Sequence, residues 1–111
     1  MIWRIRDRAT FEALAQTRRL RRGSLSLRYL PGTDDEPPRV GFAVGRSAGS
    51  AVARNRIRRR LRAAIAALEA DGHLRSGVYL FGAGPELLTM PYDDLERAVS
   101  ELAESARGAQ R

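Results

Sequence analysis

With 111 residues and 12.3 kDa, of which 43% are hydrophobic, the chain has apolar material for one core and too little length for two, so a single domain over residues 1–111 is expected. Its 20 basic residues outnumber 13 acidic ones and leave +7 at pH 7, which directs the protein towards polyanions without specifying a fold. Cysteine is absent and His73 is the sole histidine, which excludes disulfides, thiolate metal sites and cysteine catalysis and leaves any serine triad or imidazole metal site one side chain to build on.

Met1-Ile2-Trp3-Arg4 lacks the apolar run of a signal peptide. No stretch approaches the roughly 18 apolar residues of a membrane span, so a cytoplasmic protein without membrane contact is expected. Asp7 to Gln16 then places Phe11, Leu14 and Ala15 at helical spacing, with Asp7 or Thr10 available as the cap. Arg18 to Gly23 reads as a basic connector. Leu25, Leu27 and Tyr29 alternate with Ser24, Ser26 and Arg28, the pattern of a half-buried strand, ended by Pro31-Gly32. Beyond an acidic, proline-bearing loop, Val40, Phe42 and Val44 alternate with Gly41, Ala43 and Gly45, predicting a strand with one nearly bare face, against which another group should lie closely.

Ser50 is placed to cap a long helix that runs to about Ala70 and stops at Asp71-Gly72. Val78 to Phe81 reads as a further strand. Pro85 and Pro91 bracket a loop, after which Tyr92, Leu95, Val99, Leu102 and Ala106 recur at helical spacing. Gly108 to Arg111 has the composition of a terminus that frays. The order α-β(2-3)-α-β-α gives an α+β fold, a two-layer α/β sandwich.

Charge is unevenly placed. Residues 1–62 hold 16 arginines against 5 acids, and the remainder 4 arginines against 8 acids. All 20 basic residues are arginine, a choice that suits bidentate phosphate contacts but that codon bias explains better. Within residues 51–68, Ala53, Ile57, Leu61, Ala64, Ile65 and Leu68 fall in one stripe at about 100° per residue, and Asn55, Arg56, Arg58, Arg59 and Arg62 cover the opposite arc. A solvated helix face normally mixes signs, whereas no acid occurs between Glu36 and Glu69. Six arginines in the nine residues 54–62 also crowd the helix's N-terminal half, where exposed amides are already partly positive. An anion that offsets both terms explains the cluster. The alanine-rich apolar stripe, without large aromatics, argues for a nucleic-acid backbone over a lipid surface.

Residues 39–62, RVGFAVGRSAGSAVARNRIRRRLR, with Arg54-Asn55-Arg56 preceded by Gly41, Val44, Gly49, Ala51 and Val52, resemble the protein component of bacterial ribonuclease P. Weaker agreement extends in order through Phe11, Tyr29, the strand at Val78 and the helix start at Tyr92. The resemblance implies a left-handed βαβ crossover and a subunit of a ribonucleoprotein endonuclease that removes the 5′ leader from precursor tRNA. It implies that the RNA subunit carries catalysis and binds most of the Mg²⁺, with no catalytic or metal-binding residue in the protein. It places Arg46, Arg54, Asn55, Arg56, Arg58, Arg59 and Arg62 on the catalytic RNA, and Phe11, Tyr29, Gly41 and Ala43 in a cleft for the single-stranded leader. A monomer within the ribonucleoprotein is implied, with ribonuclease P RNA and precursor tRNA as partners and no small-molecule ligand.

Ser47 and Ala15 depart from the family pattern, which usually has a basic residue and an aromatic there. Phe11 and Tyr29 read equally well as core residues, and Trp3 reads as an anchor for the N-terminus or as a stacking surface. The rival readings are a non-catalytic ribosomal or general RNA-binding protein, and a metal nuclease built on Asp34-Asp35-Glu36 or Asp93-Asp94-Glu96. Both acidic runs have plainer explanations, as a solvated loop and as a helix first turn, and His73 reads as a helix-end residue.

Overall fold

The computed structural model describes residues 1–33 and 35–108. Its elements are β1 (Trp3–Arg4), α1 (Arg8–Ala15), β2 (Leu20–Arg22), β3 (Leu25–Pro31), β4 (Arg39–Ala43), α2 (Ala51–Ala70), β5 (Gly77–Ala83) and α3 (Tyr92–Gly108), with 3₁₀ turns at Arg46–Ala48 and Pro85–Leu88. The strands form one sheet in the order β1-β4-β5-β3-β2. β4 and β5 are adjacent and parallel, so α2 is the crossover between them, while β3 pairs antiparallel with β5 and with β2.

The starts of α1 and α2 are capped by the predicted residues. Asp7 accepts from the Thr10 N–H at 3.0 Å and Ser50 from the Ala53 N–H at 3.2 Å. Thr10, the alternative cap, instead turns its hydroxyl onto the Asp7 carboxylate. These bonds hold the Asp7 carboxyl below the usual carboxylate range. α2 stops at Asp71-Gly72, and the backbone N–H of the exposed His73 closes back onto the Leu68 carbonyl at 3.0 Å.

The main core lies between one sheet face and the helices α2 and α3. Leu25, Leu27, Tyr29, Tyr79 and Phe81 meet Ile57, Leu61, Ile65, Leu95, Val99 and Leu102 there, nearly all of them fully buried. Each such side chain contributes about 1.5–3 kcal/mol when removed from water. This is the expected sandwich of sheet and helices, with one addition. α1 packs on the opposite face through a small cluster of Leu14, Ile5 and Val78, flanked by Leu30 and Leu80.

The expected order allows the three strands found between α1 and α2 and lacks β1, and one of those strands, β2, was not located in the sequence. β1, two residues long, pairs parallel with the start of β4, and β2 occupies the segment read as a basic connector. Val44 and Gly45, assigned to the second long strand by alternation, lie beyond the end of β4. Asp34, from the acidic loop, and residues 109–111 of the tail lie outside the described residues.

Gly77 is required where β5 begins. Its φ of +144° is unfavourable for any L side chain, and a Cβ would stand 2.5 Å from the Tyr29 ring. Gly77→Ala is therefore expected to destabilise the protein by roughly 1–3 kcal/mol, read as a lower midpoint in thermal or urea unfolding.

Candidate nucleic-acid interface

The arginine helix has the predicted polarity. Ile57, Leu61, Ala64, Ile65 and Leu68 are buried and Ala53 is half-buried, while Asn55, Arg56, Arg59 and Arg62 are exposed. Arg46, in the turn that precedes α2, is exposed as well. Arg54 and Arg58 are half-buried. Arg58 donates to the Asn55 side-chain oxygen at 2.9 Å and reaches the Val44 carbonyl at 3.4 Å, so Asn55 orients a neighbouring guanidinium while keeping its own amide donors outward. Arg62 lies over the Phe42 ring with its guanidinium carbon 5.5 Å from the ring centroid, a cation–π contact that keeps the fork at the surface.

Arg60 belongs to a different group. It turns beneath the helix and donates to the carbonyls of Leu87 and Met90, pinning the loop between β5 and α3 onto α2. Among the described residues, the ion pairs made by arginine are Arg8–Glu12, Arg22–Glu101, Arg39–Asp7 and Arg97–Asp94, and none involves Arg46 or an arginine of α2. Among the described residues, no carboxylate pairs with that cationic face.

Beside the helix, where β1 ends and leaves the edge of β4 uncovered, runs a groove of about 520 Å³. Phe11 from α1, Gly41 and Phe42 from β4, and Arg58 and Arg62 from α2 line it. Phe11 is 41% exposed, so its ring is available to a ligand. Gly41 carries the closely approached bare face expected of the strand, since a Cβ there would stand 3.0 Å from the Ile5 side chain. Ala43 lies outside this groove, in a neighbouring hollow of about 450 Å³ on the α1 side of the sheet. Arg19, Arg21 and Arg28 rim the hollow, Gly82 contributes to its floor, and Ser47 stands at its margin.

Tyr29 does not join these residues. It is 7% exposed and faces the main core, its ring centroid 5.0 Å from that of Tyr79 and its hydroxyl donating to the Ser76 carbonyl at 3.4 Å. Burial raises the pKa of both tyrosines. The assignment of Tyr29 to a stacking cleft is corrected on this geometry, because strand alternation places it with Leu25 and Leu27 on the buried face. Its neighbour Arg28 faces the hollow instead, and donates to the carbonyls of Ala15 and Thr17 at the end of α1. Arg28, Arg19 and Arg21 were not among the predicted site residues. The alternation of Leu25, Leu27 and Tyr29 against Ser26 and Arg28 was the signal that would have found the first of them.

Asp93 and Asp94 sit in the first turn of α3, with Asp94 3.7 Å from Arg97.

A Ribonuclease P family model matches residues 2–107. The ribonuclease P protein component of Symbiobacterium thermophilum is 38% identical over 111 residues, covering 98% of this chain and 95% of that one. The protein of the same description from Thermobifida fusca is 39% identical over 101 residues, covering 83% and 67%. Among solved structures, the ribonuclease P protein of Staphylococcus aureus superposes with a TM-score of 0.76 at 18% identity, covering 94% of each chain. That of Thermotoga maritima gives 0.75 at 18% identity, covering 92% of this chain and 96% of that one.

Two substitutions separate the roles of the arginines. Arg60→Ala leaves two backbone carbonyls without their donor and is expected to cost about 1–3 kcal/mol of stability, whereas Arg59→Ala should leave the melting midpoint unchanged and weaken RNA binding. Tyr29→Ala should cost about 3–5 kcal/mol of stability, the range for truncating a buried aromatic; a calorimetric scan of the three variants reads the stabilities, and an RNA titration reads the binding of Arg59→Ala.

Proposed function

The chain belongs to the ribonuclease P protein family and is the protein component of that ribonucleoprotein, and we propose that it holds the catalytic RNA through the arginine face of α2 and the 5′ leader of precursor tRNA through the groove beside it. The observation that carries this reading is the exposed, internally unpaired cationic face of α2, lying against a groove that contains an accessible aromatic ring. Arg46, Arg54, Asn55, Arg56, Arg58, Arg59 and Arg62 meet backbone phosphates of the RNA subunit. Phe11 stacks on a leader base over Gly41, and the arginine-rimmed hollow beside Ala43 receives the adjoining phosphates. Stacking on a ring reads no sequence, which suits a processor of many different precursors.

The protein's work is electrostatic and positional. Mg²⁺ is assigned to the RNA subunit, which carries the cleavage chemistry in this reading, and the protein's residues bind and position the RNA. Arginines interposed between two RNA molecules offset phosphate repulsion, which lowers the cation concentration the RNA needs to bind its substrate. No helix among the described residues is long and apolar enough to cross a membrane, and we place the protein in the cytoplasm as a monomer within the ribonucleoprotein. Membership of the family settles the rival of a ribosomal or general RNA-binding protein against that alternative.

Reconstitution tests the proposal. The isolated protein should leave precursor tRNA intact, and cleavage should appear when the RNA subunit and Mg²⁺ are added; cleavage by pure protein would overturn the reading. Replacing any one of Arg56, Arg59 and Arg62 with Ala should weaken RNA binding and reduce the slope of log K against log salt by about one unit. Asn55→Asp should bind RNA far more weakly than Asn55→Ala, because the new carboxylate neutralises Arg58 and faces phosphate. Phe11→Ala should reduce affinity for precursor tRNA by about 1–3 kcal/mol and leave that for mature tRNA nearly unchanged, as titration of the reconstituted complex with each would read.

A further inference from the structure

Trp3 is the sole tryptophan and is 45% exposed, although its backbone is tied into the sheet by pairing with Arg39 and by a 2.8 Å bond from its N–H to the Pro38 carbonyl. The backbone therefore ties the N-terminus to the sheet, and a large part of the ring is left open to solvent. Among the described residues, its indole N–H meets only the Met1 sulfur, at 3.3 Å. Around the ring lies a hollow of about 510 Å³ lined by Ile2, Arg4, Arg6, Asp7 and Arg39. Three of these are arginines, and the one acid is already engaged as the cap of α1 and lies 3.7 Å from Arg39. An exposed indole ringed by guanidinium groups has the chemistry of a stacking site for an unpaired base with its phosphates.

The hollow adjoins the Phe11 groove, since Ile2, Trp3 and Arg4 line both. Along α2 the wall of the Phe11 groove reaches Ala66, twelve residues and roughly 18 Å from Arg54 at the other end of the cationic face. A strand that passes Phe11 and continues along the groove beside β4 therefore arrives at Trp3.

We propose that Trp3, with Arg4, Arg6 and Arg39, forms a second stacking site that takes a leader nucleotide farther from the cleavage site than the one at Phe11. This rests on the reading of the Phe11 groove as the leader's track. The site extends the protein's grip on long leaders and is silent for short ones.

The test uses the reconstituted protein–RNA complex and precursors whose leaders are shortened one nucleotide at a time. The fluorescence of the single tryptophan should change on binding precursors with long leaders, and this change should vanish below one leader length. Trp3→Ala should weaken binding of the long-leader precursors by roughly 5- to 100-fold and leave the shortest ones unaffected, while Trp3→Phe should retain most of the affinity. A loss equal at every leader length would place Trp3 on the RNA subunit or in the fold and overturn the proposal, as would no loss at any length. If the wild-type complex itself bound all leader lengths equally, the leader track would fail, and the Trp3 site with it. Leader-dependent wild-type binding that Trp3→Ala leaves intact would overturn the Trp3 site alone.

Discussion

Burial of one stripe of α2 against the sheet is the constraint on which the rest of the molecule depends. Because each residue turns the helix by about 100°, seating Ile57, Leu61, Ala64, Ile65 and Leu68 in the core sets the direction of every other side chain on it. Arg59 and Arg62 can only face out, Arg58 leans towards the end of β4, and Arg60 passes under the helix to the loop before α3. The magnitudes decide that this arrangement survives without its ligand. Cations near a helix N-terminus cost a few tenths of a kcal/mol each when exposed, whereas each buried leucine or isoleucine of the stripe gains about 1.5–3 kcal/mol. The core wins, and the cationic face is held ready.

Most of the fold was legible because its long elements obey one period each. α2 and α3 repeat apolar residues at helical spacing, and β3 and β5 carry the apolar character of strands packed on a core. β1 and β2 escaped notice for a physical reason: two or three residues are too few to display a period, and both are strands by virtue of their partners β4 and β3. The boundary of β4 was overextended because Val44 continues the alternation and is buried, but its carbonyl is turned to Arg58 rather than to a neighbouring strand.

At the site, the sequence separated charged from apolar faces but could not separate one arginine from another. Arg59 and Arg60 are adjacent and chemically identical, yet one meets solvent and the other two backbone carbonyls. What distinguishes them is the position of a loop more than twenty residues away in the chain, which no local pattern encodes. Tyr29 is the opposite case. The alternation that identifies β3 as a strand also assigns Tyr29 to the buried side and Arg28 to the open side, so the aromatic was misplaced by weighing its chemistry above its parity. Residue type proposes what a side chain can do, and periodicity decides whether it is presented to do it.

The two walls of the Phe11 groove are held with unequal strength. On one side, α2 presents Arg58 and Arg62 from a helix of twenty residues seated in the main core. On the other, α1 is eight residues long and fully buries only Leu14, packing on a cluster that includes Ile5 and Val78. Its remaining ties are polar: the Asp7 cap at its start and the Arg28 guanidinium on the carbonyls of Ala15 and Thr17 at its end. Elements with few buried apolar contacts open at lower free energy than the core they lean on. Phe11 is thus carried by the compliant wall and the arginines by the stiff one. In the proposed complex, phosphates would meet charges held by the stiff wall, and the ring proposed to stack on bases of differing size sits on the element best able to adjust.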